Sequence, residues 1–317
     1  SSYPREFNPF TDYIEKLKPW DGVTDYIGQL AETVQTEDQE FWKKSFRKWF
    51  VGMLACALQD EAVNHLVIIL YSEQGKGKST WIRRLLPPEW REYYRNGMAN
   101  PENKDHQLML STHLIINMEE FDGARISDLA GLKRTITQES VTERKVYMQT
   151  LSFIRRASFI ASTNNRLCLQ DIGGNRRFLP SSVISMDYRT PVNYEGIYAQ
   201  AYALLNGGYQ YWYEGEEIDE LNRHNEMHRM KDPVEENLLV YFRKPEPEDT
   251  CVKWMPAAAI LSKIAIYGKI QVNRQAIQTL VLSLEKYRFR TRRNAQGSTE
   301  YEVVDLQNDE VNKGFGK

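Results

Sequence analysis

The chain has 317 residues, of which 41% are hydrophobic, so it is long enough to bury a sizeable core in two or three domains. Its 41 Lys and Arg residues are balanced by 43 Asp and Glu residues, which gives a formal net charge of −2. This balance argues against a nucleic-acid-binding protein that is basic overall, although it permits a local basic channel.

Cysteine usage and apolar runs exclude two further classes. The three cysteines (Cys56, Cys168 and Cys251) are few and far apart, which rules out a disulfide scaffold and is typical of a reducing cytosol. Apolar runs stay well below the roughly 20 residues that span a bilayer, and we find no signal peptide, so we expect a cytoplasmic protein without membrane contact.

His224 and His228 lie four residues apart, but no Glu or Cys completes a metal set, which favours a solvated helix face over a zinc site.

Residues 1–60 are predicted to form a helical, collar-like N-terminal domain. Apolar side chains recur there at intervals of three and four and give one broad stripe. The stripe indicates a helical cap packed on the core, a collar for self-association, or both. Its members are Phe41, Trp42, Phe46, Trp49, Phe50, Met53, Leu54 and Ala57.

Residues 61–190 alternate short β-rich runs with helical runs, which indicates an α/β fold with a parallel sheet. The predicted strands are 66–71, 113–118 and 157–162. Residues 191–243 return to a helical pattern and are predicted to extend this core.

A glycine-rich run at residues 72–80 separates the first predicted strand from a helical run, which is the context of a phosphate-binding P-loop. Backbone amides of such a loop point at phosphate oxygens. Lys78 is predicted to reach the β- and γ-phosphates of ATP, and Ser79 to ligate Mg²⁺. Ser72 stands where the usual pattern has its first glycine. The predicted nucleotide-binding residues are Gly75, Lys76, Gly77, Lys78, Ser79 and Thr80.

Two adjacent acids, Glu119 and Glu120, follow the second predicted strand in the manner of a Walker B element. We assign Glu119 to the metal and Glu120 to the attacking water. Neighbouring side chains on a strand point to opposite faces, so the two roles could be exchanged. The alternative is an acidic loop after a core strand.

Two further polar positions follow the third predicted strand. Asn164 could hydrogen-bond the γ-phosphate and the water without adding negative charge, although Asn-Asn is also good turn chemistry. Arg176, or secondarily Arg177, has the context of an arginine finger, which in ring ATPases acts on the neighbouring subunit. The alternative is a salt-bridging surface pair.

Residues 244–317 begin with a polar, proline-bearing hinge and then read as two helices and a hairpin, the order of a winged helix. Arg290 and Arg292 on the first predicted wing strand suggest contact with the DNA backbone. Winged helices also dock proteins, so both readings stay open.

The ordered set of motifs resembles the virulence-associated E family and, more broadly, superfamily 3 helicases of phage and poxvirus primase-helicase type. The similarity spans roughly residues 8–242. It rests on the segments 74–80, 119–120, 140–147, 161–165 and 174–178, with further likeness at 8–13, 19–22 and 232–236. The resemblance implies an AAA+-like ATPase that forms a ring, usually a hexamer, and works with a primase domain or partner. It also implies translocation on single-stranded DNA and unwinding of forked duplex.

In that family a β-hairpin between the acids and the sensor projects into the ring pore, and here it would be residues 141–156. Arg144, Lys145 and Tyr147 would contact DNA, with Arg155 and Arg156 on the far flank. The alternative is an exposed hairpin with scattered charge.

Two other functions compete with the helicase. One is an ATP-dependent switch or loader that docks a partner protein without unwinding DNA. The other is a nucleic-acid-binding module whose ATP site serves assembly.

Overall fold

The computed structural model describes residues 8–97, 104–119, 121, 126–143, 151–170, 172 and 175–307. These residues divide into two compact units. The first unit comprises residues 8–169 and 175–228, and the second comprises 170, 172 and 229–307. Within the described ranges no helix is long and apolar enough to cross a membrane.

The first unit is built on a six-stranded sheet with the order β1-β8-β2-β7-β4-β3. All adjacent pairs are parallel except the edge pair of β1 with β8. The parallel-rich α/β fold predicted from the sequence is confirmed. A separate antiparallel pair, β5 with β6, forms a hairpin. The strands are β1 Val34–Thr36, β2 Val67–Tyr71, β3 Tyr94–Asn96, β4 Ile115–Met118, β5 Ser140–Glu143, β6 Leu151–Ile154, β7 Ser158–Thr163 and β8 Phe178–Met186.

Helices surround this sheet, and several begin at a side chain that caps them. Asn8, Asp25, Asp38 and Asn193 each accept hydrogen bonds from backbone amides of the first turn that follows. The helices are α1 Pro9–Ile14, α2 Tyr26–Glu32, α3 Gln39–Leu58, α4 Lys78–Arg83, α5 Lys104–Thr112, α6 Ile126–Thr137, α7 Tyr194–Asn206 and α8 Glu216–Glu226, with a 3₁₀ turn at Pro88–Tyr93.

The long helix α3 is buried on more than the one stripe predicted from its spacing. All eight predicted stripe residues are buried, and so are Ser45, Lys48 and Val51 on other faces. The indole N–H of Trp49 donates to the backbone oxygen of Phe159 in β7 at 2.8 Å. Helices α1 to α3 therefore share one hydrophobic core with the sheet. The collar role in self-association stays a prediction.

The prediction that residues 1–60 are helical is wrong at β1, which pairs with β8 at the sheet edge. A three-residue edge strand is too short to produce a recognisable alternation of apolar and polar residues. The only buried apolar side chain of β1 is that of Val34. The strand ends at Thr36, whose amide donates to the Gln39 side chain.

Arg155 follows the β5–β6 hairpin and is fully buried, so it is not one of the hairpin's DNA-facing cations. Burial lowers the pKa of its guanidinium to about 10, which keeps it charged at neutral pH. Its nitrogens donate to carbonyls of three segments, so the base of the hairpin is tied to the end of α6 and to the approach to β2. The acceptors are the backbone oxygens of Asn64, Thr135, Ile136, Gln138 and Ala157.

We expect Arg155→Met to lower the free energy of unfolding by roughly 2–5 kcal/mol, because buried carbonyls lose their donors. Urea titration followed by tryptophan fluorescence measures this change. The comparison variant is Arg156→Met, since Arg156 is partly buried and makes fewer contacts, with the exposed Asp60 at 2.5 Å and with the backbone oxygen of Cys56 at 3.1 Å. That variant should lose about 1–2 kcal/mol, and equal losses in both variants would contradict the anchoring role.

His224 and His228 do not form the solvated helix face that was expected, because both are buried in the first unit. The His224 ring stacks on Phe41 with centroids 3.5 Å apart. Burial, reinforced by His224, lowers the pKa of His228 to about 4. Within the described residues no group of three or more His, Cys, Asp or Glu side chains could hold a metal ion.

The depressed pKa of His228 predicts a loss of stability in mild acid. Between its ordinary pKa of 6.5 and the folded value of about 4, the unfolded chain binds a proton that the folded chain does not. The folding free energy should therefore weaken by roughly 1–3 kcal/mol as the pH falls through this window. Unfolding titrations at pH 7 and pH 4.5 test this, and His228→Leu should flatten the pH slope. An unchanged slope in that variant would refute the assignment.

The second unit combines three helices with an antiparallel sheet of order β10-β12-β11, in which β9 also pairs with β12. The two helices and hairpin predicted for its C-terminal half are present. The strands β9 and β10 were not foreseen, and the winged-helix identity stays a prediction. The elements are α9 Pro233–Tyr241, β9 Phe242–Arg243, β10 Val252–Pro256, α10 Ala257–Gly268, α11 Arg274–Lys286, β11 Thr291–Arg293 and β12 Thr299–Asp305.

Candidate functional site

A cleft of about 310 Å³ opens at the carboxyl edge of the first unit's sheet. The strands β2, β7 and β4 are adjacent and parallel, so the segments that follow them meet at one edge. Crevices at this edge are the usual ligand sites of open α/β sheets. The cleft is lined by Gln74, Gly75, Lys76, Gly77, Lys78, Ser79, Thr80, Glu119, Ser162, Thr163 and Asn164.

The loop between β2 and α4 has the backbone geometry that its glycines were expected to permit. Gly75 and Gly77 have φ values of +84° and +85°, in the left-handed region that side chains disfavour. Gly77 is also the N-cap of α4 and offers no side chain to the amides of the first turn.

Lys78 and Asn164, predicted separately, are brought together. The Lys78 Nζ donates to Asn164 Oδ1 at 3.1 Å and to the backbone oxygen of Glu73 at 3.1 Å. It also donates to the backbone oxygen and the hydroxyl of Ser72, at 2.8 and 2.9 Å. Ser72, which replaces the expected first glycine, therefore supplies an additional acceptor that holds the ammonium over the loop.

Glu119 lies at the same edge and is exposed to the cleft. The buried Asn117 donates to Glu119 Oε1 at 3.4 Å, and it also donates to the Tyr94 hydroxyl at 3.1 Å and to Asn96 Oδ1 at 3.2 Å. Burial raises the pKa of Tyr94 to about 12, and nearby Glu119 adds to the shift, so the phenol stays neutral. Asn117 therefore helps to orient the carboxylate.

Sequence reasoning missed Asn117, although a signal was present. It is a polar residue inside an apolar strand, and it lies two positions before Glu119, so both side chains share one face.

The donor set fits a nucleotide with magnesium. Mg²⁺ in proteins is usually held by one or two carboxylates together with substrate phosphates and water. Glu119 and the Ser79 hydroxyl line the same cleft and could supply the protein ligands. Glu120, Arg144, Lys145 and Tyr147 fall outside the described residues.

Arg176 and Arg177 are not near this cleft within one chain. The Arg177 backbone oxygen accepts from the Val67 amide at 2.8 Å, so the pair lies at the amino end of β2. The length of β2 separates them from the loop by about 15 Å. They line a second cleft of about 520 Å³ at that opposite edge, beside His65, Glu139 and Trp212.

The second cleft brings charges of both signs together, because Glu61 and Glu139 line it with Arg176 and Arg177. Burial lowers the pKa of the Arg177 guanidinium, with Arg176 adding to the shift. Burial also lowers the pKa of His65, helped by Arg155 and Arg177. Neither Arg176 nor Arg177 forms a salt bridge with a described residue.

The predicted wing arginines carry internal ion pairs within the second unit. Arg292 bonds Glu300 at 2.8 Å, and its guanidinium lies 4.5 Å from the Trp254 ring centroid. Arg290 lies 3.7 Å from Glu302. Both predicted wing arginines therefore have a carboxylate nearby, although the Arg290 side chain remains 84% exposed.

Comparison with known proteins gives one family match. Residues 14–230, about two thirds of the chain, match the model of the virulence-associated protein E-like domain. No curated protein matches the sequence. An apo structure of the NrS-1 C-terminal region (305–718) covers 96% of this chain and 79% of its own, at 15% identity and a TM-score of 0.44. An A-form apo structure of that region covers 92% and 78%, at 15% identity and a TM-score of 0.46.

Proposed function

This chain belongs to the virulence-associated protein E-like family, and from that premise we propose that it is an ATP-driven DNA helicase. It assembles as a ring, which we expect to be a hexamer. It acts on single-stranded DNA and forked duplex in the replication of a mobile element or phage. The observation that carries the proposal is the 3.1 Å contact of Lys78 with Asn164, in a cleft shared with Glu119. Cation, neutral amide and carboxylate converge there from three neighbouring strand ends.

Each of these side chains has a distinct role toward ATP. Lys78 neutralises charge on the terminal phosphates, and Asn164 contacts the γ-phosphate without adding negative charge. Bound Mg²⁺ supplies charge stabilisation on the phosphates, and Ser79 and Glu119 are the residues that hold it. Glu120 is assigned to the attacking water.

Ring formation accounts for the position of Arg176 and Arg177. Because they lie at the edge of the sheet opposite the cleft, they serve ATP bound by a neighbouring copy. The β5–β6 hairpin is the element that would grip DNA, and Arg155 fixes its base to α6. Hydrolysis changes the interface between copies and moves the hairpin along the strand.

Strand displacement on a forked duplex tests the proposal. The chain should separate the strands with ATP and Mg²⁺ and fail with a non-hydrolysable analogue. Single-stranded DNA should raise the rate of phosphate release. The helicase proposal would be refuted if no strand displacement occurred at any protein concentration and single-stranded DNA did not change the rate of phosphate release.

The second candidate is an ATP-dependent switch or loader that docks a partner protein. The ion pairs of Arg292 with Glu300 at 2.8 Å and of Arg290 with Glu302 at 3.7 Å favour it, because a neighbouring carboxylate offsets part of each arginine's attraction for phosphate. ATP turnover stimulated by single strands without displacement would support this candidate.

A further inference from the structure

Tyr188 lies beside the phosphate-binding loop on the side away from the other site residues. It follows β8, which is the neighbour of β2 opposite to β7 and β4. Ser182 of β8 pairs with Tyr71 at the end of β2, and β8 then continues to Met186. The chain after β8 therefore extends beyond the carboxyl edge of the sheet and lies beside the loop.

The Tyr188 ring is in direct contact with that loop. A Cβ added at Gly77 would lie 2.3 Å from Cδ1 and 2.5 Å from Cε1 of Tyr188. The ring edge therefore lies directly against the Cα of Gly77, next to Lys78. The ring is half-buried, so part of it faces solvent.

A hydrogen-bonded turn holds Tyr188 in this place. Asp187 Oδ1 accepts from the amides of Arg189 and Thr190 at 2.8 and 3.0 Å, and Oδ2 accepts from the Thr190 hydroxyl. These bonds lower the pKa of Asp187 to about 2, so the turn persists across the working pH range. The Asp187 amide donates to the Thr33 backbone oxygen at 2.7 Å.

The direction of the bound triphosphate decides what Tyr188 can meet. Lys78, Asn164 and Glu119 line the cleft on the β7–β4 side of β2, so in the proposed site the terminal phosphate lies on that side. A triphosphate chain that lies along the loop then leads its nucleoside toward the opposite side, where β8 ends. Tyr188 stands at that side, with the Arg189 guanidinium 5.8 Å from its ring centroid.

We propose that Tyr188, assisted by Arg189, is the surface on which the nucleoside of the bound nucleotide packs. The assignment rests on the proposed ATP site and adds the residue that distinguishes a nucleotide from a bare polyphosphate. Aromatic rings and guanidinium planes stack on any base, so Tyr188 contributes affinity for nucleoside triphosphates in general.

Calorimetry on the full chain with Mg²⁺ separates nucleoside from phosphate binding. The two probes are ATP and inorganic tripolyphosphate, which lacks a nucleoside. We expect Tyr188→Ala to weaken ATP about 5- to 150-fold and to leave tripolyphosphate within about twofold of the unaltered chain, because stacking is lost while the loop is intact. Tyr188→Phe should retain the affinity for ATP, and Lys78→Ala should weaken both probes.

The pattern of losses identifies which idea fails. Parallel weakening of ATP and tripolyphosphate in Tyr188→Ala would overturn the proposal, since Tyr188 would then only support the loop. Unchanged ATP affinity in that variant would overturn it as well. Binding of neither probe by the unaltered chain would overturn the ATP site itself, and this assignment with it.

Discussion

Replacing Lys78 with alanine should lower the rate of ATP hydrolysis roughly 10²–10³-fold, the usual cost of removing one preorganised donor to developing charge. The Lys78 ammonium lies 3.1 Å from Asn164 Oδ1 and 2.8 Å from the Ser72 backbone oxygen, at the centre of the cleft. Among the described residues that line the cleft, Lys76 is the one other cation, and its side chain is exposed. We therefore do not expect Lys76 to take over the contacts of the Lys78 ammonium. Phosphate release with saturating single-stranded DNA measures the effect, and ATP titration measures the accompanying loss of affinity.

The matched control is Arg83→Ala. Arg83 lies on the same short helix as Lys78 and is exposed, so this variant removes one positive charge near the cleft without touching its lining. We expect hydrolysis within about twofold of the unaltered chain, since surface charges contribute little. Lys78→Ala with more than half of the normal rate would contradict the assigned role.

The strands that carry the site were predictable because each is a short, mostly apolar run that is buried on both faces. This holds for β2, β4 and β7, and their shared edge followed from their being parallel. In contrast, β8 was missed because Pro180 and three serines interrupt its pattern, and proline argues against a central strand. Pro180 is tolerated because it pairs only with β2, in register with Ile69, while its backbone oxygen meets the His224 ring at 2.8 Å.

Missing β8 had two consequences for the site. Arg176 and Arg177 could not be assigned to the amino edge, because the strand that begins just after them was not recognised. Tyr188 could not be assigned to the carboxyl edge for the same reason. Its contact with Gly77 joins positions over a hundred residues apart and depends on strand order, which no local pattern encodes.

Arg176→Ala should retain ATP binding but lose hydrolysis by roughly 10³–10⁵-fold, the magnitude associated with arginine fingers. ATP binding is kept while hydrolysis is lost because Arg176 lies at the edge of the sheet opposite the cleft of its own chain and is exposed there. Calorimetry with ATP and phosphate release with single-stranded DNA measure the two halves of the prediction. Arg177→Ala is the parallel variant, and the larger loss identifies the finger.

Mixing two inactive variants tests whether the finger acts between copies. Arg176→Ala subunits keep an intact cleft, whereas Lys78→Ala subunits keep an intact opposite edge. In a head-to-tail ring, equal mixing places a functional cleft against a functional edge at about a quarter of the interfaces. Hydrolysis should therefore recover to a fraction of the normal rate, highest near equal proportions. No recovery at any ratio, with both variants shown to co-assemble, would mean that Arg176 does not complete a neighbour's site.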